Sequence, residues 1–358
     1  MKTLFVVLAV SAVAGMTGML AAGLHPVMPW RFAIGVALLL PIAWTVTSAL
    51  AWLEPRLRGP AVPLVGLCVG GILLSMSLWG DRAQQLVQLA CVSAFVARVL
   101  GGRPTPAQRE ATQGMVVLLT GIVALWCAHY LALLATRGRL LDHVARAIDM
   151  VAYGIADYRG LFPLVTNRLA SASMAQAYVF QQAEIALVLW AVAGTADRAR
   201  VYLARLFAAN LLALAVFMVV PIVGPCLAYP DSIRASVDGT IVGSIIRGGQ
   251  VEFDAIRSGG QPVTGFGYFV ALPSLHVVMA VLFQWTVRHT RLIFWALLPI
   301  NVLIIAATVV FGFHYLIDVA GGILTAALGD RAHSGPAGDA GCGRTCGRAR
   351  LLNLEQPR

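Results

Sequence analysis

From Leu4 to Leu24 the chain carries no charged side chain. About 20 consecutive apolar residues is the length of a helix that crosses a bilayer. Runs of similar character recur at roughly 32–53, 62–80, 83–100, 112–136, 173–194, 203–224, 271–288, 292–312 and 314–330. The expected fold is therefore all-α, a polytopic membrane helix bundle of about ten spans. The run at 83–100 is the weakest, because Gln84, Gln85 and Gln88 interrupt its start. The first run opens like a secretory signal, with small residues at Ala12 and Ala14. Its apolar character continues past them, which favours a retained helix. Of 358 residues, 59% are hydrophobic and 12% charged, where an average soluble domain has about 25% charged. That excludes an ordinary cytosolic enzyme, a disordered protein and a disulfide-stapled secreted domain. Cys68, Cys91 and Cys127 fall within apolar runs and act as small hydrophobes.

The charges place the loops. There are 26 basic and 16 acidic residues, net +10. Spans exclude Asp and Glu while short cytoplasmic loops keep Arg and Lys, so the excess speaks for a membrane and against nucleic acid as a partner. Arg56 and Arg58, Arg98 to Arg109, Arg198 and Arg200, Arg288 and Arg291, and Arg331 all fall on one side if the spans alternate. That side is the cytoplasm. The arginines of 137–172 (Arg137, Arg139, Arg146, Arg159, Arg168) fall on the other. This segment reads as partly helical, lying along the interface with its arginines near anionic headgroups. The stretch 225–268 is the longest polar loop and also faces outward. From Ser334 onward the tail has no apolar period and reads as disordered; Cys342, Cys346 and His333 lack metal-site spacing. The organisation expected is N-terminal spans of unknown role over 1–136, an interfacial segment over 137–172, a catalytic core over 173–330 and a tail over 331–358.

Two segments carry chemistry. Leu272-Pro273-Ser274-Leu275-His276 opens one span, and Gly312-Phe313-His314-Tyr315-Leu316-Ile317-Asp318 joins the next two. A crossing from 272 to 288, a basic turn and a crossing back, at about 1.5 Å per residue, return His276 and His314 to one membrane face. Asp318 follows His314 by four residues, on the same helical surface. There it can accept from one imidazole nitrogen and fix the tautomer. Two imidazoles and a carboxylate suit phosphoryl transfer: one imidazole attacks phosphorus, the other protonates the leaving oxygen. Ionisable groups within spans are costly, which itself favours function. Gln181, Gln182 and Glu184 in the sixth run, with Asn210 and Asn301, read as interhelix hydrogen bonds that lock the bundle. His129 reads as interfacial, and Tyr315 as either a cap on the site floor or a packing residue.

Pro273-Ser274-Leu275-His276 followed by Gly312-Phe313-His314-Tyr315-Leu316-Ile317-Asp318 resembles the paired signature of the type 2 phosphatidic acid phosphatase superfamily. Within it the chain is similar to the inositol phosphorylceramide synthase-like branch, with Leu in the first motif and a His-Tyr-x-x-Asp form of the second. Pro221-Ile222-Val223-Gly224-Pro225 and Tyr229-Pro230 resemble the same branch. The resemblance covers roughly 170–330 and implies a six-helix phosphatase-like core. It implies that His314 is the nucleophile, Asp318 its orienting carboxylate and His276 the general acid, with no metal or organic cofactor. Ser274 either donates to a phosphate oxygen or caps a helix.

The chain departs from the phosphatase members at the phosphate clamp. They carry a Lys and an Arg-Pro ahead of the first motif and a Ser-Arg before the second His. Here those regions read Val219-Val220-Pro221 and Ala307-Thr308. The substitute cations would be Arg234, Arg247 or Arg257 from the outer loop. The resemblance thus implies an integral membrane lipid phosphatase or phosphotransferase, acting on a lipid phosphate or phospholipid headgroup through a phosphohistidine. Water or an alcohol such as inositol would be the acceptor. The expected location is the cell (inner) membrane with the site facing outside the cytoplasm. The rival is a non-catalytic scaffold or transporter that keeps the fold.

Overall fold

The protein is described from a computed structural model. The structure describes residues 2–21, 61–75, 106–154, 167–192, 196–230, 241–260 and 269–333, with a few single positions between them. These residues form helices and no strands: α1 (Lys2–Ala21), α2 (Ala61–Ser75), α3 (Pro106–Thr136), α4 (Asp142–Tyr153), α5 (Arg168–Val192), α6 (Ala196–Val219), α7 (Pro225–Ala228), α8 (Ile241–Arg257), α9 (Leu275–Thr286), α10 (Arg291–Val310) and α11 (Leu316–His333). Among the described residues, three stretches are long and apolar enough to cross a membrane, Arg109–Thr136, Arg198–Val219 and Arg291–Val310. Shorter apolar helices run over Val6–Ala21, Leu275–Thr286 and Leu316–Gly329. The expected runs at 32–53 and 83–100, and the tail with Cys342 and Cys346, lie outside the described residues, apart from Leu53.

The bundle packs through small residues. A Cβ on Gly66 of α2 would lie 2.5 Å from the Trp295 Cβ and 2.9 Å from the Leu292 carbonyl of α10. A Cβ on Gly15 of α1 would lie 2.7 Å from the Cys127 Cβ of α3. Such close backbone approach is how helices associate without a hydrophobic driving force between them. The interior holds Trp126, Tyr130, Tyr202, Phe217 and Phe283. The outer faces are apolar as well: Val6, Val10 and Val13 on α1 and Ile323, Leu324 and Leu328 on α11 are exposed. Soluble monomers rarely expose apolar surface on this scale, and lipid is its natural solvent.

Three expectations are corrected. The polar stretch after residue 224 is not an extended loop: it contains α7 and the 17-residue α8, whose inner face buries Val242, Ile246, Phe253 and Ile256. His129 is not interfacial. It is 1% exposed inside the bundle, with its Nδ1 2.6 Å from the Leu125 carbonyl one turn back. Asn210 does not bridge helices; its Nδ2 donates to Leu206 of its own helix at 2.8 Å. Asn301 does bridge, donating from α10 to Gln284 of α9 at 3.0 Å.

Candidate active site

Four backbone segments meet at one end of the bundle: the stretch Pro221 to Gly224, the turn Leu272 to Ser274 that opens α9, the link Phe311 to Tyr315 between α10 and α11, and helix α4. The link turns because Gly312 adopts a φ of 68°, a left-handed conformation that glycine takes without a Cβ penalty. Its carbonyl accepts from Cys226 at 2.8 Å, tying α7 to it. The Ala271 N–H donates to Ile222 at 2.8 Å, and Ser274 N–H to the Asp318 carbonyl at 3.0 Å. His276 leaves on the first turn of α9, and His314 sits just before α11.

The structure brings the two imidazoles together, ring centres 5.8 Å apart at 61°. The Nδ1 of His314 lies 3.1 Å from the Ala271 carbonyl and 3.6 Å from Asp318 Oδ2. Facing two oxygen acceptors, Nδ1 carries the proton, so Nε2 keeps its lone pair. The closer partner is thus a backbone carbonyl rather than the carboxylate that sequence spacing suggested. Asp318 divides its attention: its Oδ2 also accepts from Tyr315 N–H at 2.8 Å, so it caps the turn that carries His314. It is fully buried.

His276 is held from α5. Tyr178 stacks on its ring at 4.2 Å between centres, and its hydroxyl lies 3.4 Å from His276 Nδ1. Phe313 also stacks on Tyr178, at 4.7 Å between centres. Gln181, one turn along α5, donates to the His276 carbonyl at 2.8 Å. Gln181 therefore does form an interhelix bond, and to a site residue. Tyr178 was not singled out in the sequence; its signal is the three-residue step to Gln181, which puts both on one helical face.

The substrate-binding candidates are less central. Ser274 is buried and its Oγ accepts from Val277 N–H at 3.4 Å, so of its two expected roles the structure contains the helix cap. Arg247 is on α8, with Nη2 3.2 Å from Ser244 Oγ. The Arg257 guanidinium lies over Phe253 at 5.2 Å. Neither lines the cleft that holds both histidines; that cleft is walled by Tyr178, Val223, Leu227, Leu275 and Phe313. Arg234 lies outside the described residues.

Two more carboxylates belong to this neighbourhood, both from α4. Asp142 Oδ1 accepts from Gly224 N–H at 2.9 Å, from Val223 N–H at 3.2 Å and from the Tyr315 hydroxyl at 3.2 Å. Tyr315 is fully buried, packed with Ala145, Ile222 and Ala271. Burial pushes the Asp142 carboxyl up to about 6, against the pull of the Val223 and Gly224 amides. With its folded value above the unfolded one, this group's stabilising contribution is full below about pH 4 and is lost as pH rises through about 6. Asp142→Asn, which keeps the Oδ1 acceptor, should therefore raise the melting temperature relative to wild type more at pH 8 than at pH 5. A gap independent of pH would show that Asp142 does not titrate in this range.

Gly224 is the tightest backbone contact of the site. Its φ is 95°, and a Cβ there would collide with the Phe313 carbonyl. Gly224→Ala should cost about 1–3 kcal/mol in strain, read as a lowered melting temperature in detergent. A variant as stable as wild type would show that this approach is loose.

No curated protein and no solved structure matches the chain. Residues 161–330, which hold α5 to α11 up to the end of the last apolar stretch and both histidine segments, match a family model described as the PAP2 superfamily, and that match supports phosphatase-type phosphoric ester hydrolysis by a protein with membrane helices.

Proposed function

We propose that the protein is an integral membrane lipid phosphatase or phosphotransferase of the inositol phosphorylceramide synthase-like kind, working through a phosphohistidine on His314. The observation that carries this reading is the pair of imidazoles, one with its Nδ1 turned to two oxygens and its Nε2 free. In the first step the lone pair of His314 Nε2 attacks phosphorus. The P–N bond forms, the P–O bond to the leaving group breaks, and His276 gives that oxygen its proton. In the second step an alcohol or water gives its proton back to His276 and attacks phosphorus, and the P–N bond breaks. Asp318 and the Ala271 carbonyl stabilise the charge that builds on the His314 ring. The site faces away from the cytoplasm by the positive-inside distribution of the loops.

The charge of the cleft favours a phospholipid phosphodiester as donor. Among the described residues, no Lys or Arg lines it. A phosphomonoester brings up to two negative charges and a diester one, and each is costly to desolvate without a permanent cation. A second cleft touches the far side of His276, lined by Gln181, Gln182 and Met279. The side-chain carbonyl of Gln181 is buried there without a hydrogen-bond partner, and an acceptor hydroxyl would satisfy it.

The test is phosphate accounting on purified protein with a panel of lipid phosphates and phospholipids, with and without inositol, beside His314→Ala. A new phospholipid formed only with the alcohol and lost in the variant is the expected result. Phosphate release that needs His314 would move the reading to a phosphatase. No product dependent on His314 with any donor would favour a scaffold or transporter. Gln181→Met should lower transfer to the alcohol about tenfold relative to hydrolysis; an unchanged ratio would place the acceptor elsewhere.

A further inference from the structure

We propose that helix α4 is a working part of the site: Asp142 and Asp149 are positioning residues that clamp the backbone on both sides of His314. The inference rests on the reading of His314 as the reacting imidazole. Both carboxylates lie outside residues 161–330, which match the family model.

The two residues are two helical turns apart, on one face of α4, with Ala145 between them. All three are buried, and Asp149 is fully so. Asp149 aims both oxygens at the start of α11: Oδ2 accepts from Leu316 N–H at 2.7 Å and Oδ1 from Ile317 N–H at 3.0 Å. Those amides are the first of the helix and have no partner within it. A carboxylate there is doubly suited, since it satisfies two donors and meets the positive end of the helix dipole. Asp142 holds the facing segment through Val223 and Gly224, and it reaches Tyr315 as well. His314 thus sits between two stretches of backbone that one short helix grips from outside the bundle.

The opposite face of α4 explains why the helix stays in place. Val144, Ile148 and Val151 follow helical spacing and are exposed, Val151 by 83%. Acidic groups inward and apolar groups outward is the reverse of a soluble surface helix. It is the pattern of a helix lying in the interface with its apolar side in lipid. The bilayer seats α4 on the bundle, and its carboxylates seat the loops.

Displacing a reacting group by about 1 Å costs on the order of 100-fold in rate. Asp149→Asn keeps the shape but turns an N–H toward one of the two amides. In the full-length protein it should lower kcat for the His314-dependent product about 100-fold, with KM within about threefold of wild type. His143→Asn, an exposed change on the same helix, should leave both constants unaltered. A kcat for Asp149→Asn within about threefold of wild type would overturn the proposal.

Amide hydrogen exchange over residues 312–318 gives a readout that needs no turnover. Asp149→Asn should speed exchange there at least about tenfold while the rest of the bundle keeps its protection. Unchanged protection would overturn the clamp whether or not the enzyme is active. Faster exchange in a protein whose wild type makes no product would uphold the clamp and sink the phosphohistidine reading instead. Should Asp149→Asn fail to fold, Tyr315→Phe removes one hydrogen bond from Asp142 with the ring kept. It should lower kcat about fivefold and loosen the same segment, and wild-type values in both would overturn the proposal.

Discussion

Replacing His314 with Ala should abolish product formation, a loss of at least about 10⁴-fold in kcat with every donor that the wild type accepts. The size of the effect follows from the proposed role: without Nε2 there would be no atom to hold the phosphoryl group between donor and acceptor. His276 is not placed to take over, since its ring stacks on Tyr178 and its Nδ1 faces the tyrosine hydroxyl. The variant should fold, since His314 gives the structure one bond to the Ala271 carbonyl and a contact with Asp318. The Tyr315 and Ser274 amides hold Asp318 without it. Radiolabel from a donor labelled at phosphorus should appear on wild-type protein in acid-labile, base-stable form and be missing from His314→Ala. Product at even a hundredth of the wild-type rate in the variant would refute the covalent intermediate.

His276→Ala should lower turnover of lipid substrates by about 10³-fold, within the range for loss of a general acid. The diagnostic is the leaving group. An alkoxide leaves poorly without a proton, whereas p-nitrophenolate leaves readily. The deficit should therefore shrink to about tenfold for a nitrophenyl ester of the same phosphate, and the labelled protein should accumulate because release also needs His276. An equal loss for both leaving groups would assign His276 to binding rather than proton transfer. The stack of Phe313, Tyr178 and His276 fixes this ring, so loss of Tyr178 would act in the same direction with smaller size.

Much of this site is legible in the chain, because its two key residues sit in short local patterns. His314 and Asp318 are one helical turn apart, so their meeting needs no knowledge of the fold. That His276 joins them follows from one crossing out and one back, a matter of span length. The partner of His314 Nδ1 was not legible. It is a backbone carbonyl, and every residue has one. Only the path of the turn before Pro273 decides which carbonyl arrives.

The stretch after residue 224 departs from its sequence pattern for a related reason. Its polar and glycine content suggests a loop, yet α8 buries one stripe of apolar residues against the bundle, and tertiary packing outweighs weak helix propensity. The α4 carboxylates do not stand out in the sequence, because the segment's arginines dominate its charge. An acidic residue among them reads as an ordinary surface partner. Only the fold turns Asp142 and Asp149 inward.

By itself the sequence determined that this protein is a bundle of apolar helices, since hydropathy over the length of a span is a local sum that no packing can undo. It also determined which two imidazoles and which carboxylate come together. Tertiary structure alone decided what holds them. Tyr178 lies 98 residues from His276, and Asp149 lies 167 residues from Leu316. Hydrogen bonds are short and directional, so which groups meet across such separations depends on how the helices pack and not on any local pattern.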